Sequence, residues 1–386
     1  FTLKNAQCDK YYDMIAGTCG VIAGLVDILF VYVDSETVPK LDKDGNLQYY
    51  KSGEKKDEII TKKVHIQGTL NDKVDNVANK VTEKFASFLG WNKDKATEKG
   101  KNTTASAIGF LEKKFKINYD HATTHSTGGA VKNLSLKNHH LKSLGHSPDI
   151  IGLFFSVLNQ FTNTSSFISN GQMITIETED FELQGHNFIA KIFCGVANWF
   201  GHIMSDWTGS SGTVGQGGRG TGVPIPFYNL FQMINIGEFG QHKQSFATIT
   251  TKVFEEGYDA RHAMAMAIPV LINELLIRFM YTMKARFYHN KEWKDCIPKG
   301  SVPEVRRMLL VGHGVLCIMD GTDAYIRSGS GADMVAFLSR TNLLAWTRFG
   351  QLALKEVYSW YNSGHIDADA VDEYIDSNLR QMLKTN

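Results

Sequence analysis

Apolar positions in this chain recur mostly at three- and four-residue steps, the period of one face of a helix rather than of a strand. Between residues 71 and 90, Val74, Val77, Val81, Phe85 and Phe88 trace such a face and predict an amphipathic helix. Residues 14–33 are apolar almost without interruption, with Asp27 in their midst and Gly17, Gly20 and Gly24 on or near one side. Small residues at that spacing let a second helix approach closely, in water as in lipid. A short helix ends near Phe115, and further helices are expected at 131–144, from Asp149 through Gln160, and at 186–207. Four or five more follow Gln241, with breaks near Pro298 and Gly329. Strict alternation is confined to QMITIETEDFELQ, a hairpin edge within 171–184, while Asp44-Gly45 in LDKDGNLQYY marks a second hairpin within 37–66. No β-α-β alternation exists to build a parallel-sheet enzyme. The expectation is a mainly α protein, a large helical single-core bundle forming one domain over 1–386. A polar hairpin or linker excursion lies at about 34–70 and a Gly-rich loop at 208–226.

Composition adds constraints. Aromatic and aliphatic residues are plentiful (43% hydrophobic, 23 Phe), enough for a sizeable core. With 41 basic and 40 acidic residues the net charge is +1, so nothing global attracts nucleic acid, and no specific nucleic-acid binding is expected. Cys8, Cys19, Cys194, Cys296 and Cys317 are odd in number and show no CxxC spacing, which suits a reducing compartment. No basic-start secretory leader is read at the amino terminus. The chain begins at Phe1 rather than Met, so a preceding segment is expected. Residues 14–33 are long enough to span ~30 Å of hydrocarbon. Asp27 would cost ~3 kcal/mol at mid-membrane, however. Polar residues also interrupt the other apolar helices (Asn273, Glu274, Arg278, His313), and the mean hydropathy is −0.20. These features favour buried helices in a soluble core over membrane insertion. The expected location is cytoplasmic, extending to the inner face of the membrane.

The candidate chemistry lies in two segments. NYDHATTHS places Asp120, His121 and His125 within six residues, and GHIMSDWTG places His202 and Asp206 four apart in an apolar helical run. Residues at i and i+4 share a helix face, and imidazole with carboxylate at that spacing suits zinc or a similar divalent ion. His146 and Asp149, in GHSPD, are the candidate general base or completing ligands, with His139 and His140 as additions. HSPD also reads as a helix start, with Ser147 as cap, Pro148 at the first position and Asp149 near the positive dipole end. The Gly-rich loop lacks GxxxxGK[ST], so it is not a nucleotide P-loop, and no GxSxG elbow marks a serine nucleophile. Glu274 and Arg278, four apart, are expected to pair. Asp27 is expected to meet a cation from the C-terminal half, such as Arg278, Lys284 or His313.

DHATTHS, then HxxxD, then a Gly-rich stretch ending GVPIPF, resembles the bacterial membrane-bound metal-dependent hydrolases (YdjM-like), relatives of the helical zinc-dependent phospholipases C. Asp120, His121 and His125 match that family's first element, with Ala122 where the family has Arg and one residue fewer between the histidines. His202 and Asp206 match the second element, and Gly222, Val223, Pro224 and Pro226 the third. The resemblance covers 118–228; the rest is similar to proteins carried by gut Firmicutes and their mobile elements. It implies one or two divalent ions, zinc foremost, held by Asp120, His121, His125, His202 and Asp206, and hydrolysis of a lipid or small-molecule phosphoester. The competing expectation is a non-enzymatic helical component of a mobile element or phage-defence system. Its partners would be a membrane surface or further copies of the chain.

Overall fold

In the computed structural model the residues described are 8–31, 69–115, 129–135, 137–169, 171–178, 183–215, 222–363, 372–378 and 380. The three- and four-residue periodicity resolves into a mainly α fold with one antiparallel hairpin among the described residues. The chain runs through α1 (Lys10–Phe30), α2 (Thr69–Phe88), α3 (Lys93–Glu98), α4 (Thr103–Lys114), α5 (His139–Lys142) and α6 (Ile150–Thr162). Strands β1 (Thr164–Ser169) and β2 (Gln172–Glu177) follow, then α7 (Phe188–Asp206), α8 (Ser211–Gly215) and α9 (Phe246–Glu255). Then come α10 (Ala260–Met283), α11 (Pro303–Arg327), α12 (Met334–Arg340) and α13 (Leu343–Ser363), with further helical residues at 372–378. Side-chain caps start many of them: Asn92, Asn102, Asp149, Asn187, Ser245 and Asp333 each accept from backbone N–H groups of the first turn.

Two compact units can be distinguished. One comprises Phe1–Gly24, Pro269–Met319 and Leu343–Asn386. Its core gathers Tyr12, Ala16 and Cys19 from α1, Ile277 and Tyr281 from α10, Met308 and Leu309 from α11, and Leu352 from α13. Gly20 is required where α1 meets α11, because a Cβ there would lie 2.4 Å from the Gly312 carbonyl oxygen. The expected Glu274–Arg278 pair forms at 2.9 Å, and Arg348 joins it through an Nε hydrogen bond of 2.7 Å.

The second unit comprises Leu25–Ile268 and Asp320–Asn342. It is held by several small clusters: Ala86, Trp91, Ala107 and Leu111; Val131, Leu134 and Phe167; and Leu141, Tyr228 and Phe254. Asp27 lies here, and its partner is an amide rather than the expected cation. Asn342 Nδ2 donates to Asp27 Oδ1 at 2.7 Å, while the Asn342 backbone N–H donates to Asp320 Oδ1 at 3.0 Å.

Among the described residues three helices are long and apolar enough to cross a membrane: Lys10–Phe30, Ala260–Tyr288 and Pro303–Arg327. Only 33%, 28% and 39% of their apolar windows are buried, so most of each window lies at the surface. Apolar surface of that extent fits membrane association, which corrects the preference for soluble burial and for a purely cytoplasmic location.

Several local expectations also change. The helix expected over 131–144 is a series of tight turns, with helix only at His139–Lys142. The alternating segment pairs with Thr164–Ser169, whose Ser/Thr-rich sequence reads as a turn, in register Ser169↔Gln172. The two-residue connection is Asn170-Gly171, and Gly171 has φ +77°, as a tight hairpin requires. The Gly-rich stretch opens with the short helix α8. The hairpin expected at 37–66 lies outside the described residues.

Candidate metal centre

All of the site belongs to the second unit. It begins with the tight turns that precede α6. Asn138 Oδ1 accepts from the Ser135 N–H at 2.9 Å, and its Nδ2 donates to the Asn133 carbonyl at 2.8 Å and to Glu255 Oε1 at 2.7 Å. Asn133 takes a left-handed conformation that asparagine tolerates better than most residues. The chain then makes one turn of helix, α5, and a 3₁₀ turn at Leu144–His146, which brings His139, His140 and His146 to one place. Gln232 Nε2 fixes this path by donating to the Leu141 carbonyl at 2.7 Å.

Helix α7 supplies the other half. His202 and Asp206, one turn apart, project from its buried side, as their spacing predicts. Trp199 Nε1 donates to the Ser147 carbonyl at 2.8 Å and ties this end of α7 to the start of α6. After Asp206 the chain turns through Gly209 (φ +99°), whose N–H returns to the Asp206 carbonyl at 2.9 Å. The Thr208 carbonyl accepts from the buried Arg261, which Asp259 holds through Nε at 2.9 Å. Gly222 is needed beside this brace, since a Cβ there would lie 2.1 Å from Asp259 Oδ2. Val223 accepts from the Ala260 N–H at 2.8 Å. The GVPIPF element thus supports the turn that carries Asp206.

Three imidazoles converge on one oxygen. Asp206 Oδ2 lies 2.8 Å from His140 Nδ1, 3.0 Å from His146 Nδ1 and 3.4 Å from His202 Nδ1. The His139 ring lies against that of His140, tilted by 45° with centroids 3.5 Å apart. Ligand atoms of His139, His140, His146 and Asp206 all lie within 4.8 Å of one another. His140 Nδ1 is close to the carboxylate but out of hydrogen-bonding alignment, and its Nε2 has no hydrogen-bond partner. An orphaned nitrogen in full burial is costly as protein alone and is what a metal ligand looks like without its ion. The donor set fits: neutral imidazole and carboxylate are the N/O ligands of zinc, and the spacing needs only a modest contraction to reach coordination at ~2.0–2.2 Å per ligand. The group could therefore hold a metal ion.

Protonation agrees with that role. Burial, reinforced by neighbouring His140, holds His139 well below the ordinary imidazole value, so its lone pair stays available. Burial alone would push the Asp206 carboxyl up, but the neighbouring His140 and the hydrogen bonds with His146 and His202 hold it well below the carboxylate range. Asp206 is thereby held as the carboxylate and His139 as the neutral base, the forms in which each can bind a cation.

Of the residues singled out in the sequence, His146, His202 and Asp206 meet here. Asp149 does not join them. Its Oδ1 caps α6 by accepting from Ile151 and Gly152, and its Oδ2 accepts from Ser147 Oγ and, at 2.6 Å, from the Phe227 N–H. HSPD does precede a helix start, but the cap is Asp149 and the first helical residue Ile150; Ser147, expected as the cap, bonds Asp149 instead, and Pro148 stands before the helix. Asp120, His121 and His125 lie outside the described residues. His139 and His140, only additions to the sequence-based set, are part of the group. The adjacent pair of histidines in KNHHLK was the signal for them. Compared with protein-family models, with curated proteins and with solved structures, the chain matches none.

Proposed function

We propose that this protein is a membrane-associated, metal-dependent hydrolase of phosphoesters, with zinc as its ion. The single observation that carries this reading is the convergence of buried imidazoles around the Asp206 carboxylate. When bound, a divalent ion supplies Lewis acidity, neutralises charge on phosphoryl oxygens and makes water more acidic. The chain's own groups have distinct parts. Asp206 gathers and orients His140, His146 and His202 through their Nδ1 atoms, which fixes ring direction. Five donors, counting His139, exceed the four of a closed tetrahedral site, which leaves an imidazole to take and return a proton. His146 is the choice for that part; Asp149, with both oxygens occupied, serves as a brace. The resemblance to the YdjM-like hydrolases supports the reading and would add Asp120, His121 and His125 as ligands for the same or a second ion. It also supports a phospholipid- or nucleotide-derived substrate and a place at the inner face of the membrane.

One observation favours a second reading. The side chains of His140, His146, His202 and Asp206 are 3% exposed or less, and a centre closed on all sides is typical of structural zinc. The protein would then be a non-enzymatic helical component of a membrane, stapled by its ion. Hydrolysis assays on lipid and nucleotide phosphoesters, with metal-loaded and chelated protein, separate the two. Turnover that disappears on chelation and in His202→Ala supports the enzyme. A metal-loaded protein that turns over none of these, yet loses stability on chelation, supports the structural centre.

A further inference from the structure

Helices α6 and α7 are built inside out. The side of α7 packed into the protein carries Asn198, His202, Ser205 and Asp206 with Gly195 and Gly201, while its exposed side carries Phe188, Ile189, Phe193 and Phe200. α6 repeats the pattern, burying Ser156, Asn159 and Gln160 and exposing Ile150 and Phe154. Ile189 is 78% exposed and Phe193 70%. The helices run antiparallel and close: the Phe161 and Phe188 rings lie 5.5 Å apart at one end, and Trp199 bonds the Ser147 carbonyl at the other. A Cβ on Gly195 would fall 2.7 Å from the Val157 Cα. Their buried polar groups bond inward, as when Gln160 Nε2 and Asn198 Nδ2 both donate to the Leu183 carbonyl. Small and polar residues between helices, with large apolar ones outside, is the arrangement that lipid selects and water penalises.

We propose that this α6–α7 face is immersed in the bilayer, which sets the metal centre at the boundary between hydrocarbon and headgroups. Lipid is the occupant argued for, because the same chain carries three helices long and apolar enough to cross a membrane. α6 has no charged residue, and Lys191 and Asp206 are the only ones in α7. Lys191 lies over the Phe161 ring, at the end away from the centre, where its stem can follow apolar surface and its ammonium reach a headgroup. From Phe188 to Phe200 the face rises ~18 Å, over half of the ~30 Å hydrocarbon thickness. It stops two residues before His202, so the centre sits at its end. On the hydrolase reading above, on which this last step rests, that depth selects a phosphoester carried by a membrane lipid over a soluble nucleotide.

The test needs no turnover, so its outcome is separate from that of the hydrolase reading. The full chain is placed in phosphatidylcholine–phosphatidylglycerol nanodiscs and photolysed with a lipid-partitioning aryl diazirine. Adducts are mapped by mass spectrometry, with hydroxyl-radical footprinting in parallel. Several-fold more carbene adduct on Phe188, Ile189, Phe193 and Phe154 than on Phe88 of α2, with little radical oxidation, is the expected result. Oxidation at the level of Phe88 would show a water-facing surface and overturn the proposal. Protection from both reagents would show a face covered by another copy of the chain, and would overturn it too.

Discussion

Glu274, in the apolar helix α10, is met by the guanidiniums of Arg278 and Arg348, whereas Asp206, in the equally apolar α7, is met by imidazoles. Both carboxylates are held away from water, where an unbalanced charge is expensive. Around Glu274 the balancing charges come from the chain, two guanidiniums with the buried His313 imidazole 3.6 Å away. Around Asp206 the groups are instead three crowded imidazoles, with a nitrogen of His140 left without a hydrogen bond. A polar cluster that balances itself is explained by folding. One that gathers ligand atoms without a cation is explained by what it binds.

The comparison can be broken from either side. The largest effect is expected at the self-balanced cluster. Glu274→Gln should destabilise the protein by ~2–3 kcal/mol, the lower part of the range for breaking a buried pair, because both guanidiniums keep some access to solvent. Metal content should not change. Thermal unfolding in detergent with parallel metal analysis checks both, and metal loss in this variant would undo the distinction. Asp206→Asn is the converse test. It should abolish metal retention and also remove the stability that the ionised carboxylate gives the apo protein, since an amide oxygen can accept from the histidines but carries no charge. Equilibrium competition with a chromophoric chelator measures this, and an unchanged affinity would remove Asp206 from the centre.

Acid should act on the metal-free centre with a definite sign. His139 has its folded-state pKa depressed below 6.5, so the unfolded chain binds its proton first. The stability this residue contributes is present above pH ~6.5 and is lost as pH falls from there towards the folded value. Asp206, also depressed, adds a further loss below pH ~3.8. Loading with zinc should leave the start of that loss at pH ~6.5, which the unfolded chain sets, but make it steeper and carry it further down, because protons must then displace the ion before the folded chain binds them. Denaturant titrations of apo and loaded protein across pH 5–7 check this, and coincident profiles would contradict it.

The smallest effect is expected at Asp27. With a cation as partner its loss would be severe. With Asn342 donating to it at 2.7 Å and a hydrogen bond linking it to Asp320, Asp27→Asn can accept from the first and donate to the second. The change should fall within ~1 kcal/mol. A loss several times larger in the same unfolding assay would mean that a cation has been overlooked.

How much of this was legible in the sequence depended on which spacing carried it. His202 and Asp206 were readable because four residues on a helix is a fixed geometry. His139 and His140 were not, because neighbours on a helix point about 100° apart, and the break that leaves only the single turn α5 there is not written in any spacing. The helix expected over 131–144 hid that break. A helix start was legible in HSPD, but the cap proved to be Asp149, two residues beyond the expected Ser147. Most helices were placed within a few residues from apolar periodicity alone, but periodicity says nothing about which side faces water. α9 buries Ile249, Val253 and Phe254, whereas α7 exposes Ile189 and Phe193 and buries Asn198 and Ser205, and both read as amphipathic. Strand β1 was missed because Thr and Ser dominate it. The Asn170-Gly171 dipeptide, which would have announced the hairpin, stood outside the alternating run.

The claim that the Asp206 cluster is a metal centre is tested most directly by elemental analysis of the full-length protein, purified in detergent without chelators. Roughly one equivalent or more of zinc or another divalent transition metal per chain, removed by chelation and recovered on reconstitution, is the expected result. Less than roughly a tenth of an equivalent, with no uptake when zinc, manganese, iron or cobalt is offered, would contradict it.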